Sequence, residues 1–417
     1  MSNIESKIES IRSQFPALSR IIDAKPAVYL DGPAGTQVPQ SVVDRIAKCM
    51  LNHNANRSGS FATSREVDLV MSQSHDVFAN FLGATSSDSI AFGPNMTSLT
   101  FQFSRALARE WKPGDRILVS SLDHDANFTP WVLAARDAGV EVKTIGIRSS
   151  DATLDMESLD ELLNDRTRLV AVTGASNAVG SLTPLKEIAK RVHAVGAELY
   201  VDAVHLAPHR SIDVVDLNCD FLVCSAYKFF GPHIGVLYGR RHRMLEIEAY
   251  KLRPAPDDLP GRWMTGTQNH ACIAGGAAAV EYIASLSSIA DDGTNRRTRI
   301  LDAMNAIGRY ETELISRLIM GLALIPGVRI FGITESHRMN ERAPTVSFQV
   351  KGKKSIEVAQ YLGDKGVFSW DGNYYALPLT LALGTEPDGM VRLGCMHYNT
   401  KEEIDRTLEL VREISRV

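Results

Sequence analysis

Short apolar runs recur along the first two thirds of the chain and alternate with longer amphipathic stretches. Two of these runs, 198–204 and 220–224, are bounded by loop residues and are only long enough to form buried strands. Continuous apolar strands of this kind are typical of a parallel sheet that is covered by helices on both faces. Further strands are predicted at 116–120, 140–145, 168–173 and 236–238, and helices at 42–51, 66–81, 97–109, 156–163 and 271–283.

The pattern changes near residue 290, where the polar stretch Asp-Asp-Gly-Thr-Asn-Arg-Arg precedes a long amphipathic helix. Shorter strands and helices then alternate to the end of the chain. We therefore predict a large domain at 31–290 and a small C-terminal α+β domain at 291–417. Residues 1–30 are expected to form an arm on the small domain, because apolar side chains recur there at helical spacing, at Ile4, Ile8 and Ile11.

Two of the buried strands lead into groups that can react. Asp202 lies near the carboxyl end of the first, and Ser225 and Lys228 follow the second directly. Open α/β sheets bind ligands at this edge, so a carboxylate and an amine are expected to converge in one crevice. Pyridoxal 5'-phosphate (PLP) needs that pair, because its aldehyde forms a Schiff base with a lysine while an acid keeps its pyridine nitrogen protonated. Taken alone, Asp202 could cap a turn and Lys228 could be a solvated lysine.

The stretches VDAVH at 201–205 and SAYKFFGP at 225–232 resemble those of a known family. The chain is similar, over nearly its whole length, to the class V aminotransferases, which are fold-type I PLP enzymes, and within them to the cysteine desulfurases. The resemblance implies a mostly parallel seven-stranded sheet between helices, a small α+β domain, PLP as the cofactor, and a homodimer with shared active sites.

The resemblance also assigns roles to individual residues. Lys228, Asp202 and His124 would be catalytic, with His124 stacking on the pyridine ring and shuttling protons. The implied cofactor-binding residues are Met96, Thr97, His124, Asn177, Asp202, His205, Ser225, Tyr227, Lys228 and Thr267. The implied substrate-binding residues are Ala34, Asn177 and Arg392, to which Tyr375 is added for its place in the loop discussed below.

Some of these positions depart from the family pattern. Met96 replaces the first of two threonines, His205 stands where desulfurases usually carry glutamine, and Tyr227 stands where they carry histidine. Thr267 would reach the phosphate of the partner subunit. Locally, each motif also has a plain structural alternative: Thr97 could be a helix cap, Asn177 a turn residue, and Arg57, which could meet a substrate anion, a solvated arginine.

The largest departure lies in the small domain. Cysteine desulfurases place a catalytic cysteine there in a pattern like Arg-x-Gly-x-His-Cys-Ala, and the corresponding stretch here is Trp370-Asp-Gly-Asn-Tyr-Tyr375-Ala. A persulfide mechanism needs a thiolate, and a phenol with an ordinary pKa near 10 does not replace it. Cys395 is expected to lie on the strand face opposite Arg392. An aromatic-lined pocket is suggested by Trp370, Tyr374, Tyr375 and Trp131.

The composition of the chain limits the classes of partner that the protein is expected to bind. The 417 residues carry a net charge of −4 and 44% hydrophobic residues, which gives no support to nucleic-acid binding. No apolar run approaches a membrane span or a signal-peptide core, so a cytoplasmic protein is expected. The five cysteines are scattered without C-x-x-C spacing, which favours neither a disulfide framework nor a metal site.

The sequence thus predicts a PLP enzyme that acts on a small α-amino acid or related amine through loss of the Cα proton. A lyase that performs β-elimination, including C–S cleavage, or an aminotransferase is favoured over a persulfide-forming desulfurase. Two alternatives stay open: a racemase or epimerase of the same fold, and a non-catalytic PLP-fold binding protein.

Overall fold

A computed structural model describes residues 4–416. Its strands, in chain order, are β1 (Ile21–Ile22), β2 (Lys25–Pro26), β3 (Val28–Tyr29), β4 (Ile90–Gly93), β5 (Arg116–Ser120), β6 (Glu141–Ile145), β7 (Ile147–Arg148), β8 (Thr153–Leu154), β9 (Thr167–Thr173), β10 (Glu198–Asp202), β11 (Phe221–Ser225), β12 (Gly235–Gly239), β13 (Val328–Phe331), β14 (Thr345–Val350), β15 (Val367–Phe368), β16 (Trp370–Gly372) and β17 (Met390–Gly394).

The α-helices are α1 (Ile8–Arg12), α2 (Gln40–Asn52), α3 (Ala62–Leu82), α4 (Met96–Leu107), α5 (Thr129–Ala138), α6 (Met156–Leu162), α7 (Leu185–Ala194), α8 (Val214–Leu217), α9 (Arg241–Glu246), α10 (His270–Ser285), α11 (Arg296–Ala323), α12 (Ser355–Asp364), α13 (Leu377–Ala382) and α14 (Lys401–Ile414).

The centre of the molecule is a seven-stranded sheet in the order β4-β12-β11-β10-β9-β5-β6. Strands β6, β5, β9, β10 and β11 are parallel, and β12 runs antiparallel to both of its neighbours. This confirms the mostly parallel seven-stranded sheet that the family resemblance implied, and the buried parallel strands that the apolar runs predicted. The parallel order brings the carboxyl ends of β9, β10 and β11 to one edge of the sheet.

Apolar side chains on both faces of this sheet explain why it is buried. Along β10, Leu199 and Val201 belong to one core cluster, whereas Tyr200 between them belongs to the other. Along β11, Leu222 likewise faces the first cluster and Phe221 the second. Since neighbouring residues of a strand point to opposite faces, each face has its own helical layer.

A second, four-stranded antiparallel sheet lies towards the C-terminus, in the order β13-β14-β17-β16. The N-terminal segment packs on this part of the chain: β3 pairs with β15, and Arg12 forms an ion pair of 2.9 Å with Glu403 of α14. Ile4 and Ile11 are buried there, as the helical spacing predicted. The limits of the arm and the two domains remain predictions, and residues 1–3 and 417 lie outside the described part.

Two details differ from the pattern-based expectation. Helices α2, α3 and α11 begin earlier than their apolar periodicity indicates, because polar residues occupy their first turns. The stretch at 370–372, expected to be a loop, is the edge strand β16, which pairs with β17. A three-residue strand with a single large apolar side chain leaves no alternation to read. Within residues 4–416, no helix is both long and apolar enough to cross a membrane.

Candidate active site

A cavity opens where β9, β10 and β11 end, beside the N-terminus of α4. It collects most of the side chains that the sequence assigned to a cofactor. The lining residues are Asn95, Met96, Thr97, His124, Ala126, Thr173, Ala175, Asn177, Asp202, Val204, His205, Ser225, Tyr227 and Lys228.

Lys228 ends a short 3₁₀ turn that directly follows β11, and only 9% of its surface is exposed. Its Nζ donates a hydrogen bond to the carbonyl oxygen of Pro33, in the turn after β3. Burial and the nearby Arg392 guanidinium lower the pKa of Lys228 to about 7, although the Asp202 carboxylate opposes that shift. A large share of the amine is therefore neutral near pH 7, as a nucleophile or proton acceptor must be.

Asp202 is the last residue of β10 and is buried. Its Oδ1 accepts a hydrogen bond of 2.8 Å from the backbone N–H of Val204, which fixes the carboxylate at the floor of the cavity. Burial raises the pKa of Asp202 to about 6, and the positive charge of Lys228 limits the rise. The group is therefore mostly ionised at neutral pH and can hold a protonated ring nitrogen by charge.

The start of α4 supplies the anion-binding end of the cavity. The Asn95 side chain caps the helix by accepting from the N–H of Ser98 at 2.8 Å. The Oγ of Ser225 accepts from the N–H of Met96 at 2.9 Å, which joins the end of β11 to this helix. Thr97 is exposed at the cavity edge. Helix N-termini attract phosphate through their N–H groups and the helix dipole. The N–H groups of Met96 and Ser98 are already bonded, so the phosphate assigned to Met96, Thr97 and Ser225 would meet Thr97, the Ser225 hydroxyl and the positive end of the dipole.

His124 follows β5 and lies over the cavity. Its Nδ1 accepts a hydrogen bond of 3.0 Å from the N–H of Ala126, so the neutral ring carries its proton on Nε2. Burial, together with the positive charges of Lys228 and Arg392, lowers the pKa of His124 to about 4. The imidazole is therefore uncharged at neutral pH and offers a flat face to a ring beneath it.

Two buried polar atoms in the cavity have no partner among the described residues: Nδ1 of His205 and Oδ1 of Asn177. His205 is held through its Nε2, which lies 2.9 Å from Oγ1 of Thr345. Asn177 donates its amide to the carbonyl oxygen of Tyr374 at 3.0 Å. A buried polar atom without a partner is costly, so both atoms are suited to meet polar groups of a ligand.

Arg392 lies on β17 and is 4% exposed. Its Nη1 donates to the carbonyl oxygen of Asn177 at 2.9 Å, and its Cζ lies 4.2 Å from the ring centroid of Tyr374. Burial lowers the pKa of Arg392 to about 10, so the guanidinium stays charged at neutral pH. Its positive charge also lowers the pKa of Lys228 and that of His124, although Arg392 is not itself among the cavity-lining residues.

Tyr375 covers His124 from the small-domain side. The two rings are stacked with centroids 5.4 Å apart and planes inclined by 24°, and the carbonyl oxygen of Tyr375 accepts from the N–H of Asp125 at 2.7 Å. The Tyr375 side chain is still 72% exposed. The residue that replaces the desulfurase cysteine thus lies at the mouth of the cavity.

Four assigned residues require comment. Trp131 is completely buried and packs edge-on against Tyr200 in the core, so its expected place in an aromatic-lined pocket is wrong. The N–H of Ala34 is taken by the carbonyl oxygen of Asp31 at 2.8 Å and is not free for a carboxylate. Tyr227 lines the cavity, and its ring stacks on the ring of His233 with 4.9 Å between the two ring centroids. Thr267 lies in a separate surface cleft beside residues 53–56.

Arg57 also lies away from the cavity, where it forms an ion pair of 2.9 Å with Asp68. None of the cavity-lining residues is a cysteine. Burial raises the pKa of the Cys395 thiol, and the same holds for Cys224 next to the end of β11. Among the described residues no cluster of three or more His, Cys, Asp or Glu side chains could hold a metal ion.

Sequence reasoning missed three groups that support the site. The first group is Asp123, which is fully buried and forms hydrogen bonds with Ser120 and Asn127. The negative charge of Asp202 also acts on it. Burial raises the pKa of Asp123 to about 8, so it is protonated at neutral pH. The second group is the carboxyl of Asp31, which interacts by charge with Arg392. The third is the backbone carbonyl oxygen of Pro33, which accepts a hydrogen bond from Nζ of Lys228. The adjacency of Asp123 to His124 was the only signal in the sequence.

A buried lysine and aspartate at the carboxyl ends of a doubly covered parallel sheet define a PLP enzyme of fold type I. Over residues 28–407 the sequence matches the family described as aminotransferase class V, and the chain belongs to that family. A curated relative, the cysteine desulfurase of Pectobacterium carotovorum subsp. carotovorum strain PC1, is 31% identical over an alignment of 425 positions that covers 98% of each chain.

Solved structures agree with this assignment. The apo cysteine desulfurase of Thermococcus onnurineus NA1 matches with a TM-score of 0.87 and 27% identity over 98% of both chains. A cysteine desulfurase of Escherichia coli matches with a TM-score of 0.82 and 26% identity, also over 98% of both chains. The expected fold and the PLP cofactor are thereby confirmed.

The cavity itself fits this cofactor. Lys228 presents a buried amine of lowered pKa, Asp202 a buried carboxylate, and the start of α4 an anion site. The unpartnered Nδ1 of His205 also belongs to the lining of this cavity, and when it carries the proton of the neutral ring it can donate to the ring oxygen. Both ends of PLP and its ring therefore have a matching group in this chain.

Proposed function

We propose that this protein is a PLP-dependent lyase that acts on a small α-amino acid and eliminates a substituent, including a sulfur substituent, from its Cβ. The observation that carries the proposal is Tyr375, which lies over His124 at the position where desulfurases hold their nucleophilic cysteine. Amino transfer, which the name of the family describes, would begin with the same proton transfer.

Arg392 and Asn177 would hold the substrate carboxylate. The guanidinium stays charged although it is buried, and such a fork binds a planar carboxylate through two parallel hydrogen bonds. The side-chain NH2 of Asn177 has two donors, of which one bonds to the carbonyl oxygen of Tyr374, so the other can donate to the carboxylate. Anchoring the carboxylate beside Lys228 would orient the Cα–H bond towards the amine.

Bound PLP withdraws electrons from Cα, which makes the Cα proton acidic. Lys228 accepts that proton, and with a pKa lowered to about 7 it can both take it up and return it near neutral pH. His124, neutral and held by the N–H of Ala126, would stack on the cofactor ring and exclude water from that face. Asp202 would supply the negative charge that keeps the ring nitrogen protonated.

Elimination balances with these groups alone. The Cα proton passes to Lys228, the Cβ substituent leaves with the bonding electrons, and 2-aminoacrylate hydrolyses to pyruvate and ammonia. Transfer of sulfur to the enzyme would instead need a thiolate beside the substrate Cβ. Tyr375 stands in that place, and burial holds the pKa of the Cys395 thiol above its ordinary value.

The product formed from L-cysteine tests this proposal. We expect pyruvate, ammonia and sulfide in equal amounts, with no alanine above the level without enzyme, because elimination oxidises Cα whereas desulfuration leaves alanine. Chromatographic amino-acid analysis and a coupled pyruvate assay measure both products in one sample. The Cys395→Ser variant is the matched control and should give the same products at a similar rate.

Alanine that appears in step with sulfide, and disappears in Cys395→Ser, would show that Cys395 has replaced the missing nucleophile. If L-cysteine is not turned over, the same assay with L-serine and O-acetyl-L-serine uses other leaving groups. Keto acid produced only when a second keto acid is added would favour amino transfer over elimination.

We also propose that the active protein is a homodimer with shared sites, in which Thr267 binds the phosphate in the partner's cavity. Within one chain, Thr267 lies outside the Lys228 cavity, in an open cleft beside residues 53–56. Large apolar side chains are exposed nearby, at Met50 and Leu51 on α2, at Leu69 on α3 and at Phe61, the residue before α3. Such a surface suits contact with a second copy.

Mixing two inactive variants tests the shared site. Lys228→Ala and Thr267→Asp chains, co-expressed with different tags, should recover about a quarter of wild-type activity, because half of the dimers are mixed and each holds one intact site. Lys228→Ala mixed with Asp202→Asn should stay inactive, since both residues belong to one chain's cavity. Equal recovery in the two mixtures, or an active monomer by sedimentation, would contradict the proposal.

A further inference from the structure

Tyr374 and Tyr375 both have a left-handed backbone, with φ of 56° and 59°. Residues with a Cβ rarely adopt this conformation, which costs conformational free energy and persists only where surrounding contacts hold it. A glycine would remove that cost, yet two tyrosines occupy these positions. We therefore expect the side chains and carbonyl oxygens of both tyrosines to take part in the site rather than only to form a turn.

Two contacts of Tyr374 lead to Arg392 and Asn177, the pair proposed to bind the carboxylate. Its ring lies under the guanidinium of Arg392, with 4.2 Å between Cζ and the ring centroid. Its carbonyl oxygen accepts the side-chain amide of Asn177 at 3.0 Å, and its hydroxyl is anchored on the carbonyl oxygen of Met390 in β17. One residue thus contacts both groups that would bind a carboxylate.

The guanidinium of Arg392 is otherwise loosely held. Among the described residues its side chain donates one hydrogen bond, to the carbonyl oxygen of Asn177, and Asp31 acts on it by charge. Burial raises the pKa of Asp31 to about 6, so this carboxyl is mostly ionised near neutral pH and attracts the guanidinium. The face of an aromatic ring attracts a cation without consuming its N–H donors. The donors of Arg392 are thereby left free for a ligand.

We infer that Tyr374 is a positioning residue for substrate recognition: its ring and carbonyl oxygen hold Arg392 and Asn177 in the geometry that selects amino acids over amines without a carboxylate. The inference rests on the proposed function, because it assumes that these two residues bind the carboxylate. It adds that the strained Tyr374–Tyr375 turn, and not β17 alone, determines where the guanidinium lies.

The test compares two probes, L-alanine and ethylamine, which differ by the carboxylate. Their half-saturating concentrations are read from the absorbance change of the bound cofactor in the holoenzyme. In Tyr374→Leu we expect L-alanine to bind about 10- to 30-fold more weakly, as for loss of a desolvated cation–π contact. Ethylamine should bind as in the wild type. Tyr374→Phe keeps the ring and should stay within about threefold of the wild type for both probes.

Phe331→Leu is the matched control, because it removes a similar contact in the same sheet, where the Cζ of Arg329 lies 4.6 Å from the Phe331 ring centroid. It should leave the preference for L-alanine unchanged, even if its melting temperature falls as much as that of Tyr374→Leu. Wild-type selectivity in Tyr374→Leu, or equal weakening of both probes, would overturn the inference.

Arg392→Gln, measured in the same series, separates this inference from the proposed function. If Arg392→Gln loses the preference for L-alanine while Tyr374→Leu keeps it, the positioning role is wrong and the carboxylate site stands. If neither variant loses the preference, the assignment of Arg392 fails, and the positioning role fails with it.

Discussion

The Lys228→Ala variant should be colourless after purification and should retain less than about one thousandth of wild-type turnover, since it loses both the covalent anchor of PLP and the proton acceptor. Borohydride treatment of the wild-type protein should fix the cofactor to Lys228, as shown by peptide mass mapping. Lys186→Ala is the control, because Lys186 is exposed and pairs with Asp216 on the surface. It should keep both colour and activity.

The lowered pKa of Lys228 gives this prediction a pH dependence. Only the neutral amine attacks the PLP aldehyde, and burial together with Arg392 moves the pKa of Lys228 to about 7. The rate at which the cofactor-free protein regains its absorbance with added PLP should therefore rise with pH, with a midpoint near 7, and level off above it. A midpoint near the ordinary lysine value of about 10.4 would show that the amine is not desolvated.

The fold and the chemical centre could be predicted from the sequence because both follow local rules. Parallel strands that are buried on both faces read as continuous apolar runs, and residues directly after them must meet at one edge of the sheet. That reasoning placed Asp202 at the end of β10 and Lys228 after β11, where the structure has them. To assign PLP to this lysine and carboxylate, only the known chemistry of the pair was needed.

Groups that depend on distant backbone were not predictable in the same way. The Nζ of Lys228 is held by a carbonyl oxygen of the Pro33 turn, 195 residues earlier in the chain. The link between Asn177 and Tyr374 spans 197 residues. Backbone acceptors exist at every position, so residue type gives no signal for which one is used.

The orientation of side chains was the other feature that could not be predicted from the sequence. Trp131 was expected in an aromatic-lined pocket, but the first turn of α5 points it into the core against Tyr200. Tyr374 and Tyr375 are adjacent and share a left-handed backbone, yet one is buried beneath Arg392 and the other is exposed over His124. Residue type alone could not separate those two roles.

The Asp202→Asn variant should bind PLP at least about tenfold more weakly and lose on the order of a thousandfold in turnover, because a neutral amide cannot stabilise a protonated pyridine nitrogen. The amide is nearly the same size as the carboxylate, so the fold should survive. Fluorescence titration of the cofactor-free protein with PLP gives the affinity. Asp123→Asn is the matched control: it also replaces a buried carboxyl near the ring site, but one that burial keeps protonated, with a pKa of about 8.

A second readout shows whether charge is the cause. The Asp202 carboxylate raises the pKa of Lys228 against the effect of burial, so its removal should lower that pKa further. The pH midpoint for PLP rebinding should then move below 7 in Asp202→Asn, whereas it should stay in place in Asp123→Asn, where no charge is lost. If turnover falls without that shift, Asp202 acts through shape alone. If Asp123→Asn shifts the midpoint instead, the negative charge behind the ring belongs to Asp123.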